Sequence, residues 1–179
     1  MTRLGLVVAA ALLAATGCAS TRGSIQAIAP SNIGLSTPAG GFTGLALSTT
    51  TKYGLTKLTD VDRDRIIALV ITKVKEKAPT RFSAFNPPAG PGVLHATIAF
   101  HQYDEGNAFA RAMLAGLGQM HIAADVILED RTRAMQIGRY QVTKTFAWGG
   151  VYGGITKLTD IEPAFAEVVA AVLLGDTSE

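Results

Sequence analysis

The chain has 179 residues, 16 Lys+Arg against 14 Asp+Glu, a formal net charge of +2 and 48% hydrophobic residues. That length fits one domain, the apolar share supplies a packed core and excludes wholesale disorder, and near-balanced, unclustered charge excludes a nucleic-acid binder that tracks phosphates. The single Cys excludes an intrachain disulfide framework and a Cys-based zinc cluster.

Residues 1–17 read as an export leader. Arg3 gives a positive start, and the apolar run Leu4–Ala15 is too short for a spanning helix, which needs about 20 residues. Small residues close it at Ala15-Thr16-Gly17, and Cys18 follows directly. This junction resembles the lipobox of bacterial lipoproteins, with Ala15 where Leu is more usual. The resemblance implies diacylation of the Cys18 sulfur, cleavage before it and acylation of the new N-terminus. The alternative, an ordinary leader, leaves an unpaired exposed thiol in an oxidising compartment, an uncommon arrangement. Several acyl chains anchor a protein durably, each buried CH₂ contributing about 0.8 kcal/mol. By the same resemblance, Ala19 in place of Asp favours the outer membrane of a Gram-negative cell, with the domain facing the periplasm.

Residues 18–41 read as the lipidated Cys and a flexible tether. Ser20–Gly40 is rich in Ser, Thr, Gly, Pro and Ala, and such a stretch, if flexible, spans roughly 25 Å. The alternative is that Ile25–Leu35 packs along the domain. The folded unit is expected over 42–175, with 176–179 a tail. Phe42–Thr51 reads as a first strand. Thr59, with Asp62 three positions on, opens a helix whose apolar face is Ile66, Ile67, Val70, Ile71 and Val74, and Pro79 ends it. Val93–Tyr103 alternates, with Leu94, Ala96, Ile98 and Phe100 on one face and His95, Thr97, His101 and Tyr103 on the other. Met120–Glu129 alternates likewise, Asp130–Arg133 is a polar turn, and Met135–Ala147 returns as the second arm of an antiparallel hairpin. Thr159 with Glu162 predicts a full capping box for a last helix carrying Ile161, Phe165, Val168, Val169 and Val172, and Gly175 stops it. The order strand–helix–strand–strand–strand–helix predicts an α+β two-layer sandwich: a mainly antiparallel sheet of about four strands with two helices on one face.

One repeat stands out. Thr56-Lys57-Leu58-Thr59-Asp60 recurs as Thr156-Lys157-Leu158-Thr159-Asp160, each copy leading into a helix. Shared capping chemistry accounts for it most simply; duplication and a common surface formed by both helix starts are the alternatives.

Chemistry-bearing patterns are sparse. His95 and His101, six residues apart on one strand face, lie about 20 Å apart. His121, with Asp125, makes at most a sparse metal site. The acidic pairs fall at turns and at a helix start, which suits solvation and the helix dipole. There is no Gly-x-Ser-x-Gly elbow, dinucleotide loop or phosphate loop. The reading is therefore no catalytic residue, no metal and no cofactor. Two glycine-rich segments remain, Asn107–Gly118 and Trp148–Gly154. Trp148 and Tyr152 on the second are candidate partner-binding residues, since aromatics on loops mark contacts.

The run Arg111–Gly118, a strand ending Val126–Asp130, a short hairpin, a Gly-Gly loop and a C-terminal helix together resemble a family of bacterial lipoproteins with a domain of unknown function. The layout is similar to the periplasmic domain of the curli-secretion lipoprotein and to small outer-membrane lipoproteins that activate peptidoglycan synthases. The resemblance spans roughly Phe42–Leu174 and implies no catalytic residues. The leading expectation is a non-enzymatic, membrane-anchored envelope adaptor or assembly factor that docks another envelope protein. The alternatives are a homo-oligomeric secretion or export component of curli-secretion type and, last, a metal-dependent enzyme on the histidine face.

Overall fold

The computed structural model describes residues 23–29, 41–52, 54–55, 57–114, 117–147 and 150–176. The elements are β1 (Gly23–Ala29), β2 (Gly44–Thr51), α1 (Asp60–Lys77), β3 (Ala84–Phe85), β4 (Val93–Asp104), α2 (Ala108–Met113), β5 (Met120–Asp130), β6 (Met135–Phe146), α3 (Gly150–Ile155) and α4 (Leu158–Leu174). One six-stranded sheet runs in the order β1-β6-β5-β4-β2-β3. The pairs β1–β6, β6–β5 and β5–β4 are antiparallel, whereas β2 lies parallel to β4 and β3.

The core follows from the alternation. Leu94, Ile98 and Phe100 of β4, Ile122 and Val126 of β5, and Val142 of β6 share one buried cluster with Ile66, Val70 and Val74 of α1 and Phe165, Val169 and Leu173 of α4. Phe100 and Phe165 meet across it with ring centres 5.7 Å apart. A face of period two along each strand thus meets helix stripes of period 3.6. The expected α1 cap is present: Thr59 Oγ1 accepts from Asp62 N at 3.2 Å, and the Asp62 carboxylate accepts from Thr59 N at 3.0 Å. Gly175 ends α4 with φ of 78°, the left-handed conformation glycine adopts freely.

The α+β class holds, but among the described residues there are six strands rather than about four and four helices rather than two. The added strand at one edge, β1, falls in the stretch expected to be tether. Its low charge and small residues conceal a pairing pattern in which Ile25 opposes Val142 of β6. A Cβ on Gly23 would stand 2.3 Å from Val168 Cγ2, so glycine lets this strand close on α4. The parallel β2–β4 pair follows from the intervening α1, which carries the chain back to the end where β2 began.

Two local expectations are corrected. Tyr103 turns into the core rather than outward, because a bulge between Phe100 and Gln102 adds one residue and reverses the alternation. The α4 start lies earlier than the capping-box pattern indicates. Lys157 is the N-cap residue, Asp160 accepts from Lys157 N at 2.8 Å, and Glu162 is wholly buried instead of capping.

Candidate interaction surface

One end of the sheet gathers most of the unusual chemistry. β4 ends there and runs through α2 into β5; β6 ends there and runs through α3 into α4. Asn107 caps α2 by accepting from Ala110 N at 2.9 Å. Arg111 then points inward and is 1% exposed. Its guanidinium donates to the carbonyls of Gly153 at 2.8 Å, Gly118 at 3.0 Å and Thr156 at 3.3 Å, and also to that of Glu105. Four carbonyls from three backbone segments are therefore tied by one side chain, and each carbonyl that water would otherwise satisfy gains a charged donor.

Glycines permit the tight assembly. At Gly106, φ is 64° and a Cβ would lie 2.2 Å from the Gln119 carbonyl oxygen; at Gly118, φ is 72° and the obstruction is the Asn107 oxygen at 2.3 Å. Larger residues at either place would push the two loops apart.

With Arg111 inside, Phe109 and Met113 of α2 and Tyr152 and Ile155 of α3 face out. Phe109, Met113, Leu114, Leu117, Tyr152 and Ile155 are between 53% and 72% exposed. Single exposed apolar residues are ordinary; six on two short helices and the stretch after α2 form a candidate interaction surface. Tyr152 lies on this platform, within the α3 helix rather than on the loop expected there. Trp148 lies outside the described residues, as does Cys18.

Beside the platform, the two copies of the repeated pentapeptide meet. Lys57 and Lys157 line one depression with Tyr103 and Glu105. Beneath it, Arg65 of α1 reaches the buried Glu162 through Nε and Nη2, both at 2.7 Å, and the Tyr103 hydroxyl donates to the same carboxylate at 2.6 Å. Arg65 also holds Asp62 at 2.5 Å. Hydrogen bonds to these carboxylates raise the Arg65 pKa further. Burial, then the bond to Glu162, pushes the Tyr103 phenol above its usual range. The network locks α1 to α4, so the surface reading of the repeat describes the geometry: both helix starts lie together. Spacing does not mark Arg111, and it assigns Glu162 to a cap that Asp160 makes instead. An Arg set among small apolar residues is the available sign for the first, and a Glu on the apolar stripe of α4 for the second.

The histidines lie on the sheet face away from α1 and α4. His101 Nε2 stands 3.5 Å from Asp125, which Arg139 also binds at 2.5 and 3.1 Å. His121 shares a hydrogen bond with Thr145, and burial pushes the His95 pKa below its usual value. Among the described residues, no group of three or more His, Cys, Asp or Glu is placed to hold a metal.

A family model described as a domain of unknown function (DUF4410) matches residues 57–150, just over half of the chain. Among solved structures, a PelC dodecamer from Paraburkholderia phytofirmans, a variant with one Leu replaced by Met, aligns with a TM-score of 0.50 and 11% identity, covering 88% of this chain and 99% of its own. The PelC dodecamer of the same organism in another crystal form gives 0.47 and 10%, covering 83% and 96%. A proposed lipoprotein from Caulobacter crescentus CB15 gives 0.37 and 17%, covering 80% and 95%. Of the three, the first alone supports a shared fold, and at that identity it speaks to fold alone. No curated protein is significantly similar to the chain.

Proposed function

The chain belongs to the family of the domain of unknown function DUF4410, and we propose that it is a non-enzymatic, lipid-anchored component of the outer membrane that works as a homo-oligomer facing the periplasm. The observation that carries this reading is the apolar platform on α2 and α3. A surface of that kind on a domain with a well-filled core requires a cover, and its position names one. β1 begins at Gly23, opposite Lys144 near the end of β6, which is the platform end of the sheet. Cys18 precedes Gly23 by five residues, a reach of at most about 18 Å. Acyl chains on Cys18 would therefore hold the platform against the membrane rather than let the domain stand off on a long tether. The apolar side chains then enter the boundary between headgroups and acyl chains.

The oligomeric part is supported by the fold shared with PelC, which forms a dodecamer. It supports the homo-oligomeric alternative better than the adaptor reading, without a specific tie to curli secretion. Sedimentation of the lipidated chain in detergent tests it: a defined oligomer is expected, and a strict monomer at all concentrations contradicts it. Incorporation of labelled palmitate, lost in Cys18→Ser, tests the anchor.

A further inference from the structure

Among the described residues, the six-stranded sheet has two open edges, and they complement each other. β3 pairs with just Gly44 and Leu45 of β2, and the Asn86 side chain takes the next outward amide, Leu47 N, at 2.8 Å. Lys52 N donates to Phe100 O at 2.9 Å, so the even-numbered residues of β2 bond toward β4. The odd-numbered ones bond outward, which leaves the backbone groups of Thr49 and Thr51 without a partner strand among the described residues. At the other end of the strand order, β1 pairs on one side with β6 and on its other side with none of the described strands.

Native edges are protected by Lys, Pro, inward-pointing charge or bulges, and on β1 the register shift between Ala27 and Ala29 is confined to its last residues. Gly23–Ala29 (GSIQAIA) and Ala46–Thr51 (ALSTTT) carry no charged residue and no proline. The strand directions also fit. Three antiparallel pairings separate β1 from β4, and β2 is parallel to β4, so β1 and β2 run in opposite senses. Two copies set side by side in the same orientation bring β1 of one against β2 of the other as an antiparallel pair.

We propose that β1 of one copy pairs with the outer edge of β2 in the next, head to tail, so that the sheet continues from subunit to subunit. This rests on the oligomeric, membrane-facing reading above and gives it an interface. Antiparallel pairing of β1 with β1, or of β2 with β2, would turn the two subunits end for end and point one platform away from the lipid. The β1–β2 pairing keeps every platform and every Cys18 on one plane. It is a heterologous contact, which closes into a ring when the rotation between copies allows.

The test is sedimentation of the full lipidated chain in detergent, wild type against two variants. Thr49→Pro removes an outward amide of β2 that the β2–β4 ladder does not use. Ser24→Lys with Gln26→Lys puts charge on exposed positions of β1. The expected result is an oligomeric wild type, both variants monomeric, and melting temperatures within a few degrees of each other. Should Thr49→Pro fail to fold, the β1 variant decides. Oligomers persisting in the folded variants would overturn the edge pairing while leaving the oligomer in place. A monomeric wild type would overturn both.

Discussion

Arg111 Nε of α2 donates to the Gly153 carbonyl of α3 at 2.8 Å, so a charged side chain with no carboxylate among its bonded partners holds two short helices together through backbone oxygens. Arg111→Met would strand several buried carbonyls. A loss of about 3 kcal/mol is expected, from the cost of unmaking hydrogen bonds to charged groups, and scanning calorimetry should show a melting temperature lower by roughly 6–12 °C. Arg111→Lys should rescue little, because an ammonium cannot reproduce the planar fork. Protease sensitivity should appear at the loops flanking α2 and α3.

The Arg65–Glu162 pair predicts a different pattern. Glu162→Ala leaves the Tyr103 hydroxyl without its acceptor and Arg65 with Asp62 alone, and should cost about 3 kcal/mol, whereas replacing both charged residues by Met should recover much of that loss. Urea midpoints of the single and double variants measure it. A double variant as unstable as the single one would mean that the charges themselves hold α1 to α4.

Acidity should act through His95. Burial, then the Arg131 charge, lowers its pKa in the folded chain below the ordinary value of 6.5. The unfolded chain therefore takes up a proton first, and stability falls as pH drops below 6.5 until the folded-state value is also passed. His95→Gln should flatten this part of the stability profile between about pH 7 and 5. Asp104 acts at lower pH. The Gly106 amide, then Lys57, holds its carboxyl below the ordinary value of 3.8, so its contribution is present above that pH and lost as pH falls through the folded-state value.

Two glycines should differ sharply. Gly106→Ala drives a Cβ to 2.2 Å from the Gln119 oxygen at a φ of 64°, whereas Gly90→Ala meets nothing within 4 Å. The first should destabilise by more than about 1 kcal/mol and the second by less than about 0.5 kcal/mol, as chemical denaturation would show.

The alternating strands β4, β5 and β6 and the stripes of α1 and α4 are legible in the sequence because their burial pattern is periodic. β1 is not, since an edge strand of small neutral residues has the composition of a linker until its partner strand is known. Alternation alone puts Tyr103 on the wrong face, because a bulge leaves no mark on an alternating sequence. The glycine-rich segments stand out by composition, and Tyr152 with them. Their helical form depends on Arg111 reaching carbonyls 42 and 45 residues away, which local pattern does not encode.

Orientation on the membrane is the most direct test of the account. Cys18 is expected to be acylated, so a cysteine introduced by Phe109→Cys or Thr132→Cys would be the sole free thiol and can carry a fluorophore. Residue 109 lies on the platform, and residue 132 lies in the turn at the far end of β5, about 35 Å along the sheet. In vesicles containing brominated lipid, the label at 109 should be strongly quenched and the label at 132 should not. Equal quenching at both positions, or quenching at 132 alone, would contradict the account.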